Sequence, residues 1–438
     1  QQVRDSIEGF NQGIFSYKAV KLDLVTKEFT ELDKNRSVGS GKVFSTRVAN
    51  ILPGDPNTIL ISYSEAQRGQ AFKNASYYKY NLKTGKKRLV LSGSGKYFNI
   101  RFDNEANPIS ATGYDNRNNE YIYYIREPGS SSWVEVYRQS IDDYENFEIV
   151  SKYIDDKKSK VYVIANNGED KTSLWIYDLK NKQYISKIYS DKVKDLNGPL
   201  YHYNRSKYPD EFIGVSTFKD KFKRIFLNND LTLQVEALYY QLEQLIPNSH
   251  TVSVVSSDYD SKTLVVKNTA PTDPGSYYLI HNNQITYLGN EKPFLKTEDL
   301  ASLSYISYPS SDGQEIYAYA HTPKGDGPHP LIVMPHGGPF VEEVILFDEW
   351  PQFFANNGYM VIQPQYRGSF GYGLDFHQKA FINGGEAGKK MQDDLDYGAK
   401  HLINKGLVDK NNVYMFGWSY GGYTSLIASM NKEKLYKC

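Results

Sequence analysis

Gly417-Trp418-Ser419-Tyr420-Gly421-Gly422 contains Gly-x-Ser-x-Gly, the pattern of a nucleophile elbow, and Cys438 follows nineteen residues after the serine. In an elbow the serine sits at the tip of a tight strand-to-helix turn. Small flanking residues are required because strand and helix approach closely there. Gly417 and Gly421 supply that room. The apolar run Asn412-Val413-Tyr414-Met415-Phe416 predicts a short buried strand before the turn. Tyr423 to Met430 predicts a helix after it, with Leu426, Ile427 and Met430 on one side. The free N–H groups at the start of that helix would favour negative charge at the serine. On its own the pentapeptide also fits a glycine-rich turn carrying a surface serine.

The residues upstream bear on that choice. Leu331-Ile332-Val333-Met334-Pro335 is an apolar run ending in His336-Gly337-Gly338-Pro339. In α/β-hydrolases the loop after an early strand donates a backbone N–H to the oxyanion hole, and an HGG-type motif does this because glycine lets the backbone come close. The second donor is the N–H of the residue after the nucleophile. The candidate catalytic set is therefore Ser419 as nucleophile, with the backbone of Tyr420, Gly337 and Gly338 as oxyanion donors. Between the two motifs, Phe347 to Asn357 predicts a helix ended by Gly358, and Tyr359 to Ile362 a strand. Gln365 to Gly373 forms a loop, and Met391, Leu395, Ala399, Leu402 and Ile403 fall at helical spacing before Gly406. Strand, helix, strand, helix, strand, elbow, helix is the order of a doubly wound sheet.

HGGP, then Tyr366-Arg367-Gly368-Ser369 with Gly371-Tyr372-Gly373, then a helix carrying Gln392-Asp393-Asp394, then GWSYGG, lie in that order over about 90 residues. This succession resembles the catalytic domain of the prolyl oligopeptidase family of serine peptidases, and within it the acylaminoacyl-peptidase branch. The resemblance covers residues 300–438 well and the rest in architecture. It implies a serine peptidase that cleaves short peptides through an acyl-enzyme at Ser419, with no metal or organic cofactor. An esterase on the same scaffold and a non-catalytic propeller binding module stay open as alternatives.

Residues 1–296 read differently. Alternating segments recur, each leading into a polar turn: Ala19 to Leu24, Tyr77 to Leu82, Leu174 to Leu179, Arg224 to Asn228 and Tyr277 to His281. Asp23 to Asn81 is 58 residues, Asp178 to Asn228 is 50 and Asn228 to His281 is 53. Repeats near 50 residues with several strands each suggest propeller blades; a β-sandwich or a tandem of small β domains is the alternative. Helical periodicity is almost absent from this part. The expected fold is an all-β propeller over 1–296, missing its first residues, followed over 297–438 by an α/β-hydrolase domain with an incomplete doubly wound sheet.

Lys plus Arg and Asp plus Glu both number 51, which argues against nucleic acid or an anionic membrane as the main partner. No apolar run approaches the eighteen residues of a membrane span. Short peptides are the expected partners; self-association stays open. Cys438 is the only cysteine, so no internal disulfide forms, which is compatible with cytoplasm or bacterial periplasm. Asn35-Arg36-Ser37, Asn74-Ala75-Ser76 and Asn204-Arg205-Ser206 fit the glycosylation triplet.

A serine needs a base, and the base an orienting carboxylate, in the chain order Ser, Asp or Glu, His. All eight histidines precede Ser419. His336 belongs to the oxyanion loop and reads as structural; His377 and His401 read as surface or packing residues. His202, His250, His281, His321 and His329 are placed in the propeller or the linker. The expectation is a fragment truncated after the elbow, inactive as it stands, with an unpaired sheet edge. Arg367 is expected to brace its loop, and Asp393 and Asp394 to populate a polar helix face. Glu342-Glu343 is an adjacent pair, but dipeptidyl-peptidase relatives carry theirs in the propeller. This region has none, which argues against a dipeptidyl aminopeptidase.

Overall fold

The computed structural model describes residues 2–7, 10–32, 42–67, 73–381, 385–431 and 434–438. They form two compact units: 1–144 with 179–182 and 208–210, and 145–178, 183–207 and 211–438.

The first unit is all β. Two hairpins, Gln2–Ile7 with Phe10–Tyr17 and Val20–Leu22 with Phe29–Glu31, precede two four-stranded meanders. The meanders are Lys42–Asn50, Thr58–Gln67, Ser76–Asn81, Lys87–Leu91 and Tyr97–Phe102, Pro108–Asp115, Glu120–Ile125, Val134–Ser140. Their turns show why the sequence repeats. Asn81 Oδ1 accepts the N–H groups of Lys83 and Thr84 at 3.0 and 2.8 Å, and Gly85 takes φ 70° to finish the turn. Asp23 Oδ1 does the same for Val25 and Thr26, both at 2.9 Å, with Lys27 at φ 61°. An Asx side chain that mimics a backbone turn is the physical content of that repeat.

The second unit begins with three further blade sheets. They are Phe147–Ile149, Lys160–Ala165, Ser173–Asp178, Gln183–Ser190; then Gly198–Tyr201, Phe212–Phe218, Phe222–Phe226; then Thr251–Ser257, Thr263–Ala270, Asp273–His281, Gln284–Asn290. Five sheets of three or four sequentially paired strands are the blades of a β-propeller. Four of the five repeat segments fall on the third strand of a sheet; Ala19 to Leu24 falls on a two-stranded hairpin instead. The blade at 97–140 escaped the repeat because its third strand runs into Arg126 to Trp133 and not a short Asx turn. One helix also escaped it. Asp230–Leu245 is capped by Asn229 and Thr232 bonding reciprocally, and buries Val235 and Leu242.

The α/β sheet has the strand order Ser302–Pro309, Glu315–Thr322, Met360–Gln365, His329–Val333, Val408–Met415. The first two pairings are antiparallel and the last two parallel. The antiparallel pair at the front was not read from the sequence, and it places His321 and His329 on sheet strands rather than in a linker. Alternation along the central strands sorts two faces. Leu331, Val333, Met360 and Ile362 join Met391, Leu395, Ala399 and Leu402 of the Lys390–Asn404 helix. Ile332, Met334 and Val361 meet Phe354 of the Glu349–Asn356 helix. The outer edge of Val408–Met415 is not bare. Lys437 N–H donates to Val413 O at 2.8 Å and Met415 N–H to Cys438 O at 3.1 Å. Tyr436 O–H donates to Asp396 Oδ1 at 2.8 Å below that edge.

Asn204 is buried, and its amide donates to Asp258 O, Tyr259 O and Ser261 Oγ, so this triplet is closed to a glycan in the fold. Asn74 is exposed, and Asn35-Arg36-Ser37 lies outside the described residues.

Gly398 shows how tightly the long helix meets the sheet. A Cβ there would stand 2.7 Å from Tyr308 Oη and 3.1 Å from Ile362 Cδ1. Alanine would gain about 1 kcal/mol of helix propensity, but overpacking costs about 1–3 kcal/mol. It would also disturb the 2.7 Å bond from Tyr308 O–H to Asp394 O. Gly398→Ala is therefore expected to lower stability in urea unfolding; a gain in stability would contradict this packing.

Candidate active site

The elbow forms as its glycines require. Phe416 N–H extends the sheet by donating to Val333 O at 3.0 Å, and the helix Tyr420–Met430 begins four residues later. A Cβ on Gly417 would lie 2.3 Å from Gly421 C and O, and one on Gly421 would lie 2.3 Å from Pro335 O. Strand, helix and the HGGP loop thus meet with no space for side chains. Ser419 between them takes φ 55°, ψ −117°, a region a non-glycine residue occupies only when its surroundings impose it. Ser419 is exposed and Trp418 is 82% exposed. The helix starts at Tyr420, three residues earlier than its apolar pattern suggests.

Gly337 lies against the serine. A Cβ on it would be 3.3 Å from Ser419 Cβ and 3.9 Å from Ser419 Oγ. Gly338 takes φ 114°, and a Cβ there would strike Phe340 N at 2.6 Å. The structure therefore brings Ser419, Tyr420 and Gly337 together, with Gly338 next in the chain. Among the described residues no histidine or carboxylate bonds Ser419 Oγ.

His336 is buried and turned away from the serine. Its Nδ1 is 2.7 Å from Gly337 O and its Nε2 2.9 Å from Ser369 Oγ. Burial pushes its imidazole down to about 4, so it is neutral near pH 7. Tyr366 stacks on it at 4.3 Å, and Tyr420 stacks on Tyr366 at 5.6 Å. His377 is a packing residue, its Nδ1 2.9 Å from Gly368 O among Phe340, Phe370 and Phe381. His401 packs on Tyr308.

Arg367 braces its loop, and the structure names its anchor. Its Nε and Nη2 donate to Asp394 Oδ2 and Oδ1 at 2.8 and 2.7 Å, and Nη1 and Nη2 to Asp312 at 2.9 and 3.0 Å. Asp394 also accepts Arg367 N–H and the Ser310 hydroxyl, and is fully buried. Only Asp393 of the adjacent pair lies on the polar face, beside Lys390 and Ser311. Asp394 does not share that face: it points inward, where it pairs with the buried guanidinium of Arg367.

The adjacent glutamates also part. Glu342 pairs with Lys194, a buried lysine whose ammonium lies 3.9 Å over the Tyr372 ring. Asp195 Oδ2 accepts Gly373 N–H at 2.9 Å, Asp195 N–H donates to Gly371 O at 2.9 Å, and Asp170 Oδ1 accepts Asp375 N–H at 2.7 Å. Blade loops thus grip the Gly371 to Asp375 turn. Nothing in the sequence signals these partners, because they lie 148 to 205 residues away. Burial, with Asp348 nearby, pushes the Glu343 carboxyl up to about 7.

Two predictions follow from these charges. Asp394→Ala strands a buried guanidinium and is expected to cost about 3–5 kcal/mol, whereas Asp312→Ala, at a 38% exposed side chain, is expected to cost under about 1 kcal/mol. Urea unfolding of the two variants checks that ranking, which the reverse order would overturn. His202, His321 and His336 each sit at about 4, pushed below 6.5 by burial. The unfolded chain therefore binds protons that the fold excludes. Their stabilisation is complete above about pH 6.5 and declines toward pH 4, by up to about 1.4 kcal/mol per pH unit for each group. Glu343 opposes this with one proton, since its raised carboxyl holds a proton in the fold up to about 7. Midpoints of urea unfolding are expected to fall between pH 6.5 and 4.5; a flat profile would contradict the burial of these rings.

Residues 346–438 match the model of the prolyl oligopeptidase family. The chain is 25% identical to dipeptidyl peptidase family member 6 of Caenorhabditis elegans, over 82% of this chain and 51% of that protein. It is 24% identical to dipeptidyl aminopeptidase BIII of Pseudoxanthomonas mexicana, over 90% of this chain and 56% of that protein. The chain thus spans about half the length of these relatives. A puromycin-hydrolyzing peptidase of Mycobacterium tuberculosis superposes with a TM-score of 0.66 at 14% identity, over 100% of this chain and 68% of that one. That likeness carries the fold, a propeller with an α/β-hydrolase domain. The YRGS loop and the elbow with Ser419 lie within the residues that match the prolyl oligopeptidase family model, and the HGGP loop stands just before them.

Proposed function

We propose that the complete protein is a serine peptidase acting on short peptides, with residues 1–296 as its propeller and 297–438 as part of its catalytic domain. The observation that carries the reading is Ser419 itself, exposed at φ 55° on a strand-to-helix turn with the Gly337 backbone against it. Ser419 Oγ attacks the scissile carbonyl and gives up its proton to a base. The carbonyl oxygen becomes an oxyanion, held by the N–H of Tyr420 and the N–H groups of Gly337 and Gly338. One such donor is worth about 10²–10³ in rate. The intermediate collapses to an acyl-enzyme at Ser419, the amine leaves with a proton, and water releases the acyl group.

Among the described residues no histidine bonds Ser419, so residues 1–438 alone are expected to turn over p-nitrophenyl esters near background. The protein expressed from its complete reading frame is expected to be active, and Ser419→Ala to lower that activity by about 10⁶. Full activity of residues 1–438 alone would sink the first expectation, and an active Ser419→Ala enzyme the second. Two named relatives are dipeptidyl peptidases and the motif pattern resembles acylaminoacyl peptidases. Dipeptidyl and N-acylated aminoacyl anilides, assayed beside alkyl esters, assign the substrate class.

A further inference from the structure

The two glycines beside Ser419 carry N–H groups whose directions are set by their preceding carbonyls. A trans peptide is planar, and its C=O and N–H point in opposite directions. Holding the His336 carbonyl therefore fixes Gly337 N–H, and holding the Gly337 carbonyl fixes Gly338 N–H. Pro339 has no N–H to offer. Both carbonyls are held by side chains. Tyr366 O–H donates to His336 O at 2.8 Å, and His336 Nδ1 lies 2.7 Å from Gly337 O. A carbonyl can only accept, so that contact is a hydrogen bond when Nδ1 carries the proton; Tyr366 Oη lies 3.0 Å from the same nitrogen. In that tautomer of the neutral ring Nε2 is the acceptor, with the Ser369 hydroxyl 2.9 Å away. The Ser369 hydroxyl donates to Tyr366 O at 2.7 Å, and with Nδ1 protonated the same proton also faces Nε2. The two clamping rings stack on each other at 4.3 Å and are both buried.

We propose that Tyr366 and His336 are positioning residues that orient two consecutive peptide planes, and with them the oxyanion donors Gly337 N–H and Gly338 N–H. The assignment rests on the reading of Ser419 as nucleophile. Neither side chain touches substrate; they act through the main chain. The arrangement sets the acceptance of developing charge rather than the binding of the ground state, so its loss falls on kcat and spares KM.

The test separates the two ring nitrogens. In the protein from its complete reading frame, the amide nitrogen of Asn stands where Nδ1 stands, and that of Gln where Nε2 stands. His336→Asn keeps the donor to Gly337 O and His336→Gln loses it. With a p-nitrophenyl ester, His336→Gln is expected to lower kcat about tenfold or more, with KM within about twofold of wild type. His336→Asn is expected to recover kcat to within about threefold of wild type. Tyr366→Phe keeps the stacked ring and is expected to lower kcat several-fold. Equal losses in the Asn and Gln variants, or wild-type kcat in both His336→Gln and Tyr366→Phe, would overturn the proposal. Should the variants fail to fold, ¹⁵N-histidine spectra of the unaltered protein decide it. A neutral His336 protonated at Nδ1 is the expected tautomer, and protonation at Nε2 alone would overturn the proposal. Ser419→Ala runs as the control: if it keeps the wild-type rate, the nucleophile assignment falls and this inference with it.

Discussion

The contact between Gly421 and the carbonyl of Pro335 is the constraint on which the rest depends. With 2.3 Å between that oxygen and the place a Cβ would occupy, the start of the elbow helix is pressed onto the end of a neighbouring strand. Only glycine permits it, and Gly417 permits the matching approach from the other side. The strained backbone of Ser419 follows from this squeeze: the chain must leave the strand and enter the helix within three residues. The same squeeze brings the HGGP loop beside the serine.

Strain at one point needs support around it. Arg367 and Asp394 lock the YRGS loop to the long helix through a buried, bidentate pair, and Asp312 ties the front of the sheet to the same guanidinium. Blade loops hold the far end of that loop through Asp195, Asp170 and Lys171, the last donating to Tyr372 O at 2.9 Å. A buried ion pair is weak evidence for net stability and costly to break on one side. Its use here is geometric, since one side chain serves three chain segments.

Much of this was legible in the sequence, and the reason is steric. Gly417, Gly421, Gly337 and Gly338 mark places where backbone meets backbone, and such places tolerate few alternatives. The core helices were legible through Met391, Leu395, Ala399 and Leu402, whose spacing records one buried face. Other features left no local trace. The pairing of Ser302–Pro309 with Glu315–Thr322 joins strands with weak alternation. The Asp230–Leu245 helix hides among blade strands because tyrosines and leucines serve both periods. Asp394 read as solvated beside Asp393, since charge alone does not say which side of a helix meets a buried partner. Lys194 and Asp195 could not be read at all, because their partners are distant in the chain.

The oxyanion donors proposed for this site are main-chain atoms, and that proposal has a consequence for how the protein tolerates variation. Main-chain N–H groups are common to nearly every amino acid, so the atoms nearest the reaction impose almost no requirement on side-chain identity beyond the lack of bulk. On that proposal the requirement is displaced outward, onto Tyr366, His336 and Ser369, whose contacts hold the loop behind those atoms. Restrictions on substitution in such a protein are then strictest one layer behind its catalytic surface, while exposed neighbours such as Trp418 are free to drift with the substrates encountered.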